Sequence, residues 1–194
     1  MKPTADYANA RAFTGENERL AVGGHVCIIR AARCEISRSG KEMLVLYFDI
    51  NEGSEFDGFY KRRFDRMKAG NSEAKWPGVY YAVSTNDDGD TSPMFKGLIT
   101  CIEDSNDGYK WNWNETSLNG KHVGFNFGEE EYEHRASGEI RTSVKPMFPA
   151  TVARVREGLI PPAIKRLNKS GKPNASALAQ NKAFSQVDDD ELPF

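Results

Sequence analysis

The stretch His25-Val26-Cys27-Ile28-Ile29-Arg30-Ala31-Ala32-Arg33-Cys34-Glu35-Ile36, the turn Ser37-Arg38-Ser39-Gly40, and Met43-Leu44-Val45-Leu46-Tyr47-Phe48-Asp49-Ile50 decide how this chain folds. Both runs are rich in apolar and β-branched residues and a polar turn separates them, which predicts a long β-hairpin. Successive side chains on a strand point to opposite faces. Leu44, Leu46, Phe48 and Ile50 therefore share one face of the second strand, and Met43, Val45, Tyr47 and Asp49 share the other. The first face is expected in the core, and the second is free to meet a ligand.

Outward from the hairpin, a mixed polar arm (residues 1–22) ends at Gly23-Gly24. Gly53 and Gly58 frame a turn ahead of Phe59-Tyr60-Lys61-Arg62-Arg63-Phe64, and Gly78-Val79-Tyr80-Tyr81-Ala82-Val83 reads as a short strand. Either residues 56–64 or residues 78–84 could supply the third strand. Over residues 93–104, Phe95, Leu98, Ile99 and Ile102 recur at helical spacing, with Ser92 as N-cap and Pro93 at the first helical position. Residues 121–127 and 139–147 read as two more strands. Three strands, a helix and two strands is the element order of an OB-fold, a mainly β, five-stranded Greek-key barrel with its helix between the third and fourth strands.

The 194 residues allow one such domain with appendages, and 39% hydrophobic residues is lean enough that part of the chain is expected outside its core. We read a domain over residues 23–150, a basic extension and flexible linker over residues 151–187, and a disordered acidic tip at residues 188–194. No apolar run approaches the roughly 18 residues of a membrane span and no hydrophobic leader is visible, so a cytoplasmic protein without a membrane partner is expected. Three cysteines without a Cys-x-x-Cys pair fit a reducing compartment. His25, Cys27 and Cys34 are too few for a tetrahedral zinc site and are expected to serve packing.

Charge is segregated along the chain. Residues 141–182 carry nine basic side chains against Glu157 alone, and the chain closes on Asp188-Asp189-Asp190-Glu191-Leu192-Pro193-Phe194. A basic body meets polyanions and an acidic tail meets something basic. A solubilising tail has no reason to finish on an aromatic. Phe194 is expected to enter an apolar pocket of a partner while its α-carboxylate meets an Arg or Lys, with Leu192 and Pro193 beside it and the acids steering the tail to a basic rim.

Single-strand nucleic-acid binding needs cations for phosphates and exposed aromatics on which bases stack. Lys61, Arg62, Arg63, Arg66 and Lys68 put five positive charges into eight residues with Asp65 the only acid, and Phe59, Tyr60 and Phe64 interleave with them. Tyr47, Trp76, Trp111 and Trp113 are further stacking candidates. Trp111-x-Trp113 at period two would set both rings on one face. The competing readings are a solvated, aggregation-resistant edge for the basic run and core packing for the aromatics. No cofactor or catalytic group is expected, because Asp65 with Glu73-Ala74-Lys75 is a poor nuclease signature, Glu129-Glu130-Glu131 with Glu133 and His134 reads as a solvated loop, and no phosphate-loop motif occurs.

The ending Asp188 to Phe194 resembles the acidic tip of bacterial single-stranded DNA-binding proteins. The body resembles single-stranded DNA-binding proteins of phages and prophages of Gram-positive bacteria in Ser39-Gly40-Lys41 before the Met43-to-Ile50 strand, in Trp76-Pro77 and Phe95-Lys96-Gly97, and in Glu103-Asp104-Ser105-Asn106 and Gly120-Lys121-x-Val123-Gly124. This resemblance implies a non-catalytic protein that coats and protects single-stranded DNA in replication, recombination and repair and recruits protein partners through its tip. The alternatives are a strand-annealing or recombination-mediator protein, an RNA-binding protein and a metal-dependent nuclease. A homo-oligomer, as a dimer or a cooperative array, is open.

Overall fold

The computed structural model describes residues 18–135 and 137–167; the start of the N-terminal arm, the stretch from residue 168 and the tip at residues 188–194 lie outside the described residues. Strands β1 (Gly23–Ile36) and β2 (Glu42–Ile50) form the expected antiparallel hairpin, with Cys34 opposite Leu44 and Ile29 opposite Phe48. Gly40, at φ 78°, makes the left-handed step of the turn and donates its N–H to the Ser37 carbonyl at 2.9 Å. β3 (Val79–Val83) adds to β2, β4 (His122–Glu133) to β1, and β5 (Ile140–Ala150) to β4, all antiparallel. The sheet runs β3-β2-β1-β4-β5. Among the described residues no ladder joins the two marginal strands, so the sheet is open in its hydrogen bonding.

Helix α2 (Pro93–Asp104) has the bounds its apolar spacing predicts, and Phe95, Leu98, Ile99 and Ile102 are its buried residues. Residues 56–64 are not a strand. Helix α1 (Phe59–Gly70) takes their place, and the third strand is the segment at residues 79–83. The physical cause is that residues 61–69 contain no β-branched side chain, and that Gly58, at φ 70°, turns the chain into the helix. A carboxylate from the neighbouring strand then caps the helix: Asp49 Oδ1 accepts the Tyr60 N–H at 2.9 Å.

Two further expectations are corrected. The face of β2 carrying Met43, Val45, Tyr47 and Asp49 is not open, since none of the four is more than 5% exposed. β4 and β5 both outrun their predicted lengths, because the acids of residues 129–131 are paired rather than solvated. Glu129 binds Arg19, and Glu130 binds Lys145 and Lys165. Residues 151–167, the first part of the basic extension, pack on the domain. α3 (Val152–Glu157) packs Val155 against Gly124, where an added Cβ would stand 2.5 Å from a Val155 methyl, and the Lys165 backbone bridges to β4 by bonds of 2.8 and 2.9 Å.

The core lies on the α2 side of the sheet. Leu44, Leu46, Phe48 and Ile50 meet Ile29, Tyr80, Phe125, Phe127, Leu98 and Ile102 there, and Phe48 sits ring against ring with Tyr60, Phe125 and Phe127 at 5.1–6.2 Å. A smaller cluster of Met43, Val45, Tyr47 and Val83 occupies the reverse face, with Trp76 touching both clusters. Gly78 permits this arrangement. Its backbone lies so close to β2 and α1 that an added Cβ would stand 2.4 Å from the Phe48 carbonyl oxygen and 2.8 Å from the Tyr60 ring.

Candidate nucleic-acid interface

A cleft of about 430 Å³ opens on the reverse face of the sheet, between the β1–β2 hairpin, α1 and the segment that leads into β3. Three aromatics line it. Tyr47 comes from β2, Phe64 from α1, and Trp76 from the connecting segment, with the Phe64 and Trp76 centroids 5.4 Å apart. Trp76 has a fixed orientation because its Nε1–H donates to the Phe48 carbonyl at 2.9 Å. Burial pushes the Tyr47 phenol up, against the opposing pull of Arg33, so the ring stays neutral.

Arg30, Arg33, Lys68 and Lys75 line the same cleft, with Glu73 the one acid among its lining residues. The Arg33 guanidinium lies over the Tyr47 ring at 5.1 Å, and the Lys68 ammonium lies over Phe64 at 5.4 Å. Arg30 reaches the cleft because of a β-bulge. The β1–β2 register shifts between Ile29 and Ala31, leaving Arg30 as the extra residue. In a regular strand Arg30 and Arg33, three apart, would face opposite sides. Here both face the cleft, and Arg30 is anchored loosely, its Nη2 3.9 Å from the fully buried Asp49.

The predicted site residues are therefore divided. Tyr47, Lys68 and Trp76 come together in the cleft. Phe59 and Tyr60 do not belong to any binding surface: at 3% and 4% exposed they are core residues, because α1 turns its first two aromatics onto Phe48 and each other. Most of the α1 cations are engaged with acids. Lys61 binds Asp65 at 2.6 Å, Arg62 binds Glu18 at 2.5 Å and the Asp57 carbonyl, and Arg66 reaches Glu18 at 3.7 Å, whereas Arg63 is exposed. Trp111 and Trp113 lie on the α2 side, in the loop before a short 3-10 turn (Glu115–Leu118), and not on a strand. The tip residues Asp188, Asp189, Asp190, Glu191, Leu192, Pro193 and Phe194 fall outside the described residues.

Arg30 and Arg33 are cleft residues that the pattern of the sequence did not single out, and Lys75, weighed there only within Glu73-Ala74-Lys75, joins them. A second concavity, of about 490 Å³, lies by Asn51, Glu52, His122 and Arg156. Its acid is already engaged: Glu52 accepts from Ser54 Oγ at 2.7 Å and from the Val26 N–H at 3.2 Å, and it meets His25 Nδ1 at 3.0 Å. His25 is thereby tied into packing, as Cys27 is by complete burial, while Cys34 is exposed. Among the described residues no three His, Cys, Asp or Glu side chains stand together as metal ligands, and no helix is long and apolar enough to cross a membrane. Comparison of the sequence with protein-family models and with curated proteins gives no match.

Proposed function

We propose that the chain binds single-stranded DNA without sequence preference, as a non-catalytic protein that coats and protects it during replication or recombination. The observation that carries this reading is the cleft on the β1–β2 face, where the half-buried rings of Phe64 and Trp76, with Tyr47 buried beside them, are interleaved with four cations. Stacked rings take any base by its π-face and the cations take the phosphates, which is the chemistry of sequence-tolerant single-strand binding. Duplex DNA offers no unstacked base to a cleft of this size.

The strand order supports an OB-type body. β3 and β5 are the two margins, the strands across which the five-stranded barrel of that fold would close. We assign partner recruitment to the tip at residues 188–194 on its sequence chemistry alone, an acidic run ending in Leu-Pro-Phe.

The test is a titration of fluorescent oligothymidine with the full-length chain over a range of salt. Binding is expected to weaken with salt, with log K falling by about 0.7 per phosphate contact for each unit of log salt. Absence of binding at low salt, or duplex bound as tightly as single strand, would overturn the proposal.

A further inference from the structure

Trp113 is the only non-glycine among the described residues with a positive φ, at 64°, and its side chain is 72% exposed. A bulky residue in the left-handed region carries strain that burial commonly offsets, and here it does not. The loop is held in this shape by its neighbours. Trp111 N–H donates to Glu103 Oε1 at 3.1 Å, Asn114 N–H donates to Asn112 Oδ1 at 3.2 Å, and Asn114 Oδ1 accepts from the Thr116 N–H at 3.1 Å.

The exposed ring is also supported from below. Trp113 stacks on Trp111 with centroids 4.7 Å apart and planes 35° from parallel, and Trp111 meets the buried Phe95 of α2 edge-on at 5.6 Å. Phe95 also lies 6.3 Å from Trp113, so the exposed ring rests on both a half-buried and a buried aromatic. Its surroundings are polar: Asn112 and Asn114 are exposed, and Lys110, with its side chain 78% exposed, stands 3.0 Å from Glu103, whose charge Lys96 also offsets. Protein partners need several hundred Å² of continuous apolar surface. One flat ring rimmed by the amides Asn112 and Asn114, with Lys110 and Glu103 paired near it, fits instead a flat heteroaromatic with polar edges.

We propose that Trp113 is a second base-stacking site for single-stranded DNA, on the α2 side of the sheet and separate from the cleft. It rests on the same ligand class as the proposed function but not on the cleft. Tyr47 belongs to the reverse-face cluster, and Trp111 packs on the core of the α2 side, so a strand must pass round the molecule to reach both.

The experiment uses the full-length chain carrying Trp76→Phe, so that Trp111 and Trp113 are the remaining tryptophans. Tryptophan emission is followed during titration with oligothymidines of about 8 and about 30 nucleotides, lengths within and beyond the roughly 4–16 nucleotides that one OB-type surface covers. The longer oligomer is expected to quench the emission. Adding Trp113→Ala is expected to remove that quenching and weaken the longer oligomer about fivefold or more, the low end for one base–aromatic stack, while leaving the affinity of the shorter one unchanged. Trp113→Tyr, which keeps a stacking ring, is expected to retain most of the affinity. Unchanged quenching and affinity in Trp113→Ala, or equal losses for both lengths, would overturn the proposal. Arg33→Ala in the same titrations separates the two sites: if it has no effect while Trp113→Ala weakens the long oligomer, the cleft assignment fails and this one stands.

Discussion

The two faces of β2 are equally dry and differ in what surrounds them. Leu46 and Phe48 on one face, and Val45 and Tyr47 on the other, are all 5% exposed or less. Leu46 and Phe48 are enclosed by apolar residues of β1, β4, α1 and α2, whereas Tyr47 lies under Arg33 and beside Trp76 at the floor of a cleft bordered by cations. Burial is therefore the same on the two faces, and the difference between them lies in charge. On the α2 face the neighbours contribute mainly dispersion and water exclusion; on the reverse face they add a positive field and the half-buried rings of Phe64 and Trp76.

The contrast is broken most strongly from the core side. Phe48→Ala deletes a ring that meets three other aromatics and is expected to destabilise the fold by about 3–5 kcal/mol, seen as a lower urea midpoint. Oligonucleotide affinity per folded molecule should stay near that of the parent chain. Gly78→Ala forces a methyl against the Phe48 carbonyl and the Tyr60 ring and is expected to cost about 1–3 kcal/mol. It should also disturb binding, since Trp76, two residues earlier, is anchored on the same carbonyl.

From the cleft side the pattern should reverse. Phe64→Ala removes a half-buried ring of the cleft, so the expected loss is about fivefold or more in oligothymidine affinity, from one stack, with a smaller change in stability than Phe48→Ala. Arg33→Ala should leave the melting temperature within the range of ordinary surface substitutions and reduce the slope of log K against log salt by about 0.7.

The smallest effect concerns the arm formed by the outer parts of β4 and β5. Burial acts to raise the Glu130 carboxyl, but Lys145 and Lys165 outweigh it and hold it below its ordinary value of 4.5. A carboxyl depressed in the folded state stabilises the fold above its unfolded value and ceases to do so as pH falls through its folded value. Thermal melts should therefore show a loss of stability below about pH 4.5 that is smaller in Lys165→Met, which lacks one of the two cations.

How far these features could be read from the sequence follows from their locality. Helix α2 was legible to the residue, because Pro93 and four apolar positions at helical spacing are local signals. The hairpin was legible for the same reason. Helix α1 was ambiguous because the carboxylate that accepts its Tyr60 N–H, Asp49, comes from a different element and because its aromatic and basic residues suit either structure. The cleft was legible only in part. Tyr47, Lys68 and Trp76 stood out by type, but Arg30 and Arg33 share a face only through a bulge that no residue of β1 announces. The dense charge of residues 61–68 was the loudest signal and the least informative, since Lys61, Arg62 and Arg66 meet acids that are distant in sequence or one helical turn away. Trp111 and Trp113 do lie side by side as their spacing suggested, yet through a left-handed backbone at Trp113 and not through a strand.

The central claim is that bases enter the cleft on the β1–β2 face. It is tested most directly by photo-cross-linking the full-length chain to a bromodeoxyuridine oligonucleotide of about 8 nucleotides, a length that fits one site, and mapping the attached peptides by mass spectrometry. Attachment at Trp76, Phe64 or Tyr47, lost on competition with unlabelled oligothymidine, is the predicted result. An oligonucleotide that binds yet attaches only outside the cleft, or one that does not bind at all, would contradict it.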